Sequence, residues 1–177
     1  LYAEIFATSE KCGPGRDGWI NEMAKKFNNA GYEVKGEPVS VMIRSVASGL
    51  GMDYISTGKY VPDGYTPSND FWSKMLIADG VQIETVSDRL VDNTAGILLS
   101  KDTHKRLVEK YGSINLKTIV EATANGEFAM GYTNPYASAT GLNFLISTLQ
   151  TYNVQDPLSS AAVEGFQSFQ SNVPFVA

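Results

Sequence analysis

The sequence predicts an α/β protein in which mostly parallel strands are flanked by helices. Short apolar runs alternate with segments of helical periodicity from one end of the chain to the other, and such alternation is typical of a parallel sheet covered by helices. Of the 177 residues, 43% are hydrophobic, enough for a real core in one large domain or two small ones. Ligands of such sheets are expected beyond the carboxyl ends of the strands.

Five elements are predicted in the first half of the chain. They are a strand at 1–7, a helix at 18–30 that ends at Gly31, a strand at 38–43, a Gly-rich helix that follows residues 44–49 and ends near Gly58, and a helix capped by Ser68. In the last helix Trp72 is predicted to pack in the core with Phe71, Met75 and Leu76, because these residues recur at helical spacing.

The chain changes character at 81–93, where an extended, weakly alternating pattern predicts a crossover between two lobes. We expect a first lobe at 1–90, and the crossover and second lobe at 91–177. The later elements are a strand at 94–99, helices at 101–111 and 115–124, a strand at 127–132, a helix to residue 152 and a last helix that starts at Asp156-Pro157. The initial Leu1 and the apolar end at 173–177 indicate a fragment of a longer chain.

The most informative stretch is the strand-to-helix turn at 131–145, Gly-Tyr-Thr-Asn-Pro-Tyr-Ala-Ser-Ala-Thr-Gly-Leu-Asn-Phe-Leu. Backbone N–H groups and the positive end of the helix dipole favour an anion or another strong acceptor at such a turn. Turns with similar hydroxyls follow the first strand, at 8–11, and the second, at 44–49. Capping alone explains any one of them, because Ser and Thr are common N-caps. Together they predict a binding site.

The residues that carry a family resemblance are Ser9-Glu10-Lys11 with Trp19, residues 39–49, Tyr60-Val61-Pro62-Asp63 with Pro67-Ser68-Asn69 and Trp72, and above all residues 131–145. In these segments the chain resembles bacterial extracellular solute-binding proteins of the type 2 periplasmic-binding-protein fold. The likeness is to the branch associated with von Willebrand factor A domains, and more distantly to molybdate- and phosphate-binding receptors.

This resemblance implies two α/β lobes, joined by crossing strands, that close over a small-molecule or ion ligand without a cofactor. Receptors of this kind return to the first lobe at the end of the chain, and since this sequence stops at Ala177, the resemblance implies an incomplete first lobe. The ligand-binding residues that it implies are Thr8, Ser9, Glu10, Ser45 and Ser48 in the first lobe, Asn93 and Thr94 at the crossover, and Asn134, Ser138 and Thr140 in the second lobe. It also implies an extracytoplasmic protein, a lipoprotein anchored to the membrane at full length, that serves transport or sensing. A membrane permease of an ABC transporter or a von Willebrand factor A domain is the implied partner.

The chemistry of the ligand follows less directly from the residues. Hydroxyls and amides at helix ends suit an oxyanion, and Lys11, Arg16 or Arg44 would add positive charge if they do not face solvent instead. Glu10 has the opposite effect, since inside the site it would favour a cation, an amine or a hydroxyl-rich ligand; its alternative role is to stabilise a helix start. Tyr136 is the aromatic residue expected to face the ligand, with simple packing as the alternative. An oxyanion is slightly favoured.

Several function classes are disfavoured by composition and motifs. The net charge of −5 and pI near 4.9 argue against nucleic acid, and no apolar run is long enough for membrane insertion. A nucleophile with a nearby base is missing, since His104 lies on a charged helix and Cys12 has no partner motif. We therefore expect no enzyme, although a hydrolase that pairs carboxylates among Asp53, Asp63 and Asp70 stays open. The rival interpretation is a protein-interaction scaffold with a vestigial cleft.

Overall fold

The computed structural model describes residues 1–177, apart from the side chains of Arg16 and Asp17. This described part holds eight α-helices and small, mostly parallel sheets, which confirms the predicted α/β class. The chain divides into unit 1, Leu1–Asn93 with Tyr136–Ala139, and unit 2, Thr94–Pro135 with Thr140–Ala177.

Unit 1 is built around three parallel strands. Its strands are β1 (Tyr2–Ala7), β2 (Glu33–Val34), β3 (Glu37–Pro38), β4 (Ser40–Ser45) and β5 (Gly64–Thr66), and its helices are α1 (Ser9–Cys12), α2 (Trp19–Ala30), α3 (Ser48–Ser56) and α4 (Asp70–Ala78). The sheet has the order β4-β1-β5, and β2 and β3 form a separate antiparallel pair. A 3-10 turn, Gly15–Gly18, leads into α2.

The core of unit 1 lies between the sheet and its helices. Phe6 of β1 is buried and stacks on Tyr60 at 5.4 Å between ring centroids. Trp72 and Leu76 of α4 are also buried, as the spacing predicts, but Phe71 and Met75 on the same helix are 41% and 42% exposed. The apolar side of α4 is therefore narrower than its sequence suggests.

One residue on the outer edge of β4 is covered by a side chain of α2. The Asn28 amide donates to the Val41 carbonyl at 3.0 Å, and the Val41 N–H donates to Asn28 Oδ1 at 2.7 Å. Asn28 thus satisfies both backbone groups of a strand residue, as a neighbouring strand would.

Unit 2 consists mainly of helices. They are α5 (Lys101–Tyr111), α6 (Leu116–Ala124), α7 (Ala139–Tyr152) and α8 (Ser160–Gln170), joined by the short parallel strands β6 (Gly131–Tyr132) and β7 (Phe175–Val176). Its core is formed by buried apolar residues of all four helices, Leu107, Ile119, Val120, Ala122, Leu149, Ala162 and Phe169. Phe169 lies within 6.3 Å of the Tyr132 ring, between centroids, which brings β6 and α8 together.

Three predicted elements are wrong or displaced. Residues 94–99 form no strand, and among the described residues β6 pairs only with β7. The strand predicted at 127–132 is reduced to Gly131–Tyr132, because the Glu127 N–H is used at the end of α6, where it donates to the Ala122 carbonyl at 2.9 Å. The last helix begins at Ser160 and not at Asp156, whose carbonyl accepts the Ser159 N–H in a turn.

The helix that was predicted to be capped by Ser68 is capped by its neighbour. Asn69 is the N-cap of α4, and its side chain accepts a hydrogen bond from the Phe71 N–H at 2.6 Å. Ser68 is thereby left for contacts elsewhere in unit 1.

Candidate functional site

The carboxyl ends of β1, β4 and β5 lie at one edge of the unit 1 sheet. Parallel pairing sets Ala7, the last residue of β1, opposite Ser45 of β4 and Thr66 of β5. The Val46 N–H donates to the Ala7 carbonyl at 2.9 Å, so the pairing extends one residue past β4. The turns that leave the three strands therefore start side by side. We call this place the carboxyl edge.

Hydroxyl groups from three turns meet at the carboxyl edge. Thr8 Oγ1 lies 2.7 Å from Ser68 Oγ, and the Ser68 N–H donates to Ser48 Oγ at 3.1 Å. Thr8 and Ser48 are only 5% and 1% exposed, and buried polar groups of this kind need hydrogen-bond partners. Ser68 supplies a partner to both. The Tyr65 hydroxyl donates to the Ser48 carbonyl at 2.6 Å, and burial raises the pKa of Tyr65, so this donor keeps its proton.

A buried cation lies beside these hydroxyls. Lys11 of α1 is 6% exposed, and its Nζ donates to the Thr66 carbonyl at 2.6 Å, to Thr66 Oγ1 at 3.1 Å and to the Pro67 carbonyl at 3.3 Å. Burial lowers the pKa of Lys11, and the neighbouring Glu10 opposes this effect. The ammonium group ties α1 to the turn that follows β5.

The segment Tyr136–Ala139 packs against the start of α3 within unit 1. The Gly49 N–H donates to the Ala137 carbonyl at 2.9 Å. A Cβ on Gly49 would lie only 2.0 Å from the Tyr136 carbonyl oxygen, so this approach requires glycine. Ser138, the next residue along the segment, is thereby held near the α3 start, while the Tyr136 side chain is 86% exposed.

The other predicted site residues of unit 1 are exposed, and not all of them lie close to the carboxyl edge. Ser45 is the last residue of β4 and lies at the edge itself. Ser9 and Glu10 lie in the first turn of α1, directly after Thr8. Asn93 lies in the segment 81–100, which forms neither helix nor strand. Thr8, Ser45 and Ser48 therefore lie at the carboxyl edge. The segment with Tyr136 and Ser138 packs beside the start of α3.

The remaining predicted residues, Thr94, Asn134 and Thr140, lie in unit 2 and are exposed. Thr140 lines an open groove of about 540 Å³ whose walls are mostly apolar residues of 96–99 and 128–132. Asn134 donates its N–H to the Ala177 carbonyl and so extends the pairing of β6 with β7. Thr94 lies in the segment 81–100. Unit 2 thus brings Thr140 to a groove but does not gather these three residues at one point.

The basic residues that were expected to add positive charge to the site lie in different places. Arg44 donates from Nε to Glu4 Oε1 at 2.5 Å and from a terminal nitrogen to the Tyr60 hydroxyl at 3.0 Å. Glu4 is buried, so Arg44 serves as its counter-ion. The side chain of Arg16 lies outside the described residues. Lys11 alone of the three is shown at the carboxyl edge.

Sequence reasoning missed Thr66 and Ser68 as parts of this site. Their positions depend on β5, a three-residue strand that begins with Gly64, ends with Thr66 and has no apolar run. The available signal was the order aromatic, hydroxyl, proline, hydroxyl at 65–68, in which proline ends a strand and leaves a polar turn.

Among the described helices, none is both long and apolar enough to cross a membrane. In the same part of the chain, no group of three or more His, Cys, Asp or Glu side chains is placed to hold a metal ion. Comparison of the chain with models of protein families, with curated proteins and with solved structures found no match.

Proposed function

We propose that this chain is an extracytoplasmic solute-binding protein that captures a small ligand, with an oxyanion as the first candidate, for transport or sensing. The two-lobed architecture of the type 2 periplasmic-binding-protein fold is part of the proposal, as is a partner that is a membrane permease or a von Willebrand factor A domain. No catalytic step is included.

The observation that carries the proposal is the convergence of hydroxyl groups at the carboxyl edge. Thr8, Ser48 and Ser68 follow three different strands and are joined by hydrogen bonds, and Ser45 is the last residue of the second of these strands. Open α/β sheets bind their ligands outside the carboxyl ends of their strands. A capping role requires no such convergence, because each helix needs only its own cap.

A second function is favoured by one feature of the same edge. The Thr8 and Ser48 hydroxyls already have a partner inside the protein, Ser68. A scaffold that serves only to hold a partner protein would keep such a closed network, whereas a binding protein would open part of it for its ligand. The protein-interaction scaffold is therefore the alternative that the test must separate.

Thermal unfolding of the protein with a panel of oxyanions, metal ions, amino acids and sugars separates the two functions. A ligand at 100 times its Kd stabilises the folded state by about 2.7 kcal/mol, whereas a scaffold responds to none of them. Ser45→Ala is expected to weaken the response to the ligand that binds. Ser40→Ala is the matched control, because Ser40 is an exposed serine at the opposite end of the same strand.

The double variant Ser138→Ala/Thr140→Ala tests the third predicted turn. Solute binding predicts weaker affinity with an unchanged fold, since neither side chain is buried. If no ligand in the panel raises the melting temperature, the proposed function is wrong and the scaffold is supported.

A further inference from the structure

Lys11 is a buried ammonium group whose three protons are all used. Its Nζ has three acceptors within 3.3 Å, the Thr66 carbonyl, Thr66 Oγ1 and the Pro67 carbonyl. A charged lysine has three N–H donors, and a neutral amine has only two. The three acceptors therefore match the charged form, although burial favours the neutral one.

The charge of Lys11 lacks a bonded counter-ion among the described side chains. All three acceptors are uncharged oxygens, and none of the ion pairs found there includes Lys11. Glu10 raises the pKa of Lys11 through space, but its side chain is exposed, and water screens such a charge. Cys12 also raises the pKa, yet its Sγ donates to the Ala7 and Thr8 carbonyls as a thiol does.

This unpaired charge lies next to the hydroxyl network. The backbone N–H of Lys11 donates to the Thr8 carbonyl at 2.9 Å, so the two residues lie in the same turn of the chain. Thr8 Oγ1 in turn contacts Ser68. Buried charges are costly unless an opposite charge lies close by. A negatively charged group held by hydroxyls at the carboxyl edge would supply that charge, without any direct bond to Nζ.

We propose that Lys11 determines the charge of the ligand, so that the carboxyl edge takes a small molecule with a carboxylate or inorganic oxyanion group. This inference rests on the proposed solute-binding function and narrows its substrate class. Lys11 acts through its electric field and does not touch the ligand, because its three protons are already donated within the protein. Exposed Glu10 acts in the opposite direction and weakens the same interaction.

Two single variants of the full chain test this role with defined probes. Binding of sulfate, inorganic phosphate and succinate is measured by isothermal titration calorimetry, with erythritol as an uncharged probe and choline as a cation. Lys11→Met removes the charge and keeps the length of the side chain, and it is expected to weaken anion binding about tenfold. Glu10→Gln removes the opposing charge at an exposed position and is expected to strengthen anion binding about threefold. Comparing the affinity for sulfate and phosphate with the affinity for succinate distinguishes an inorganic oxyanion ligand from a carboxylate ligand.

The outcomes separate this inference from the function on which it rests. If the anions bind but neither variant changes their affinity, Lys11 is only a structural tie between α1 and the turn after β5, and the inference is overturned while solute binding stands. Binding of erythritol or choline in place of the anions likewise overturns the inference, while solute binding stands. If none of these probes binds, this inference is overturned, and the wider panel of ligands then decides the proposed function. Should Lys11→Met fail to fold, the probes on the unaltered chain decide: binding of the anions without erythritol or choline supports the inference, and binding of erythritol or choline in their place overturns it.

Discussion

Gly49→Ala is the sharpest test of how the segment Tyr136–Ala139 is held. The new Cβ would lie 2.0 Å from the Tyr136 carbonyl oxygen, 2.8 Å from the Tyr136 carbonyl carbon and 2.9 Å from Ala137 Cα. All three atoms belong to the backbone, so the segment must move and the hydrogen bond from the Gly49 N–H to the Ala137 carbonyl is lost. Overpacking costs about 1–3 kcal/mol and the hydrogen bond about 1 kcal/mol. Alanine recovers about 1 kcal/mol of helix propensity. We expect a net loss of about 2 kcal/mol.

Gly51→Ala is the matched control in the same helix. Its new Cβ would meet the edge of the Tyr65 ring at 3.0 Å and Phe6 Cδ2 at 3.5 Å, both of them side-chain atoms, so no backbone segment has to move. The small steric cost and the gain in helix propensity then cancel to about zero. Urea unfolding of both variants measures the difference. Equal stabilities within about 0.5 kcal/mol would refute the packing of Tyr136–Ala139 on α3, because only Gly49 contacts that segment.

Three further predictions concern stability. Arg44→Met leaves the buried Glu4 without its counter-ion and is expected to lower the stability in urea unfolding, and the double variant with Glu4→Gln should recover part of the loss. Asn115→Ala removes the cap of α6 and is expected to cost about 1 kcal/mol in the same assay; no loss would mean that this cap is dispensable. A hydrogen bond from Lys110 lowers the pKa of Glu127 below 4.5, so its stabilising effect is present above pH 4.5 and is lost as the pH falls through the lowered value. Glu127→Gln should therefore reduce the loss of melting temperature in acid, and an unchanged pH profile would contradict this.

The boundaries of α5 and α6 in unit 2 could be predicted because their signals are local. The α5 helix begins after Ser100, whose Oγ accepts the Thr103 N–H at 3.1 Å, and ends at Gly112 with a positive φ of 76°. The α6 helix follows Asn115, whose Oδ1 accepts a backbone N–H in the same way. Each signal lies within four residues of the boundary that it sets, so one sequence is enough to find it.

Strands were harder to predict because their partners are distant in sequence. Residues 94–99 are as apolar as β1, yet they form no strand in this structure. The strand β5 is polar and only three residues long, and it exists because β1 pairs with it some sixty residues away, where Ala7 lies opposite Thr66. Hydrophobic pattern alone does not identify such pairing partners.

The candidate site shows the same division between local and distant signals. Thr8 and Ser48 could be placed together from sequence, because parallel strands bring the residues that follow them to one edge. The burial of Lys11 could not be predicted from sequence, because it depends on Thr66 and Pro67, which belong to the unpredicted strand β5 and the turn after it. The sequence pattern had left Lys11 as one of three basic residues with no means to choose among them.

The contact of Asn28 with Val41 has a consequence for the behaviour of the protein in concentrated solution. An open strand edge with free N–H and C=O groups is a template for pairing with another molecule and hence for aggregation. Asn28 occupies both groups of Val41 from a helix that cannot itself extend the sheet. The amide thus blocks pairing at Val41, and Asn28→Ala should increase the fraction of oligomers formed through β4. Light scattering would detect the change while the fold within each molecule persists.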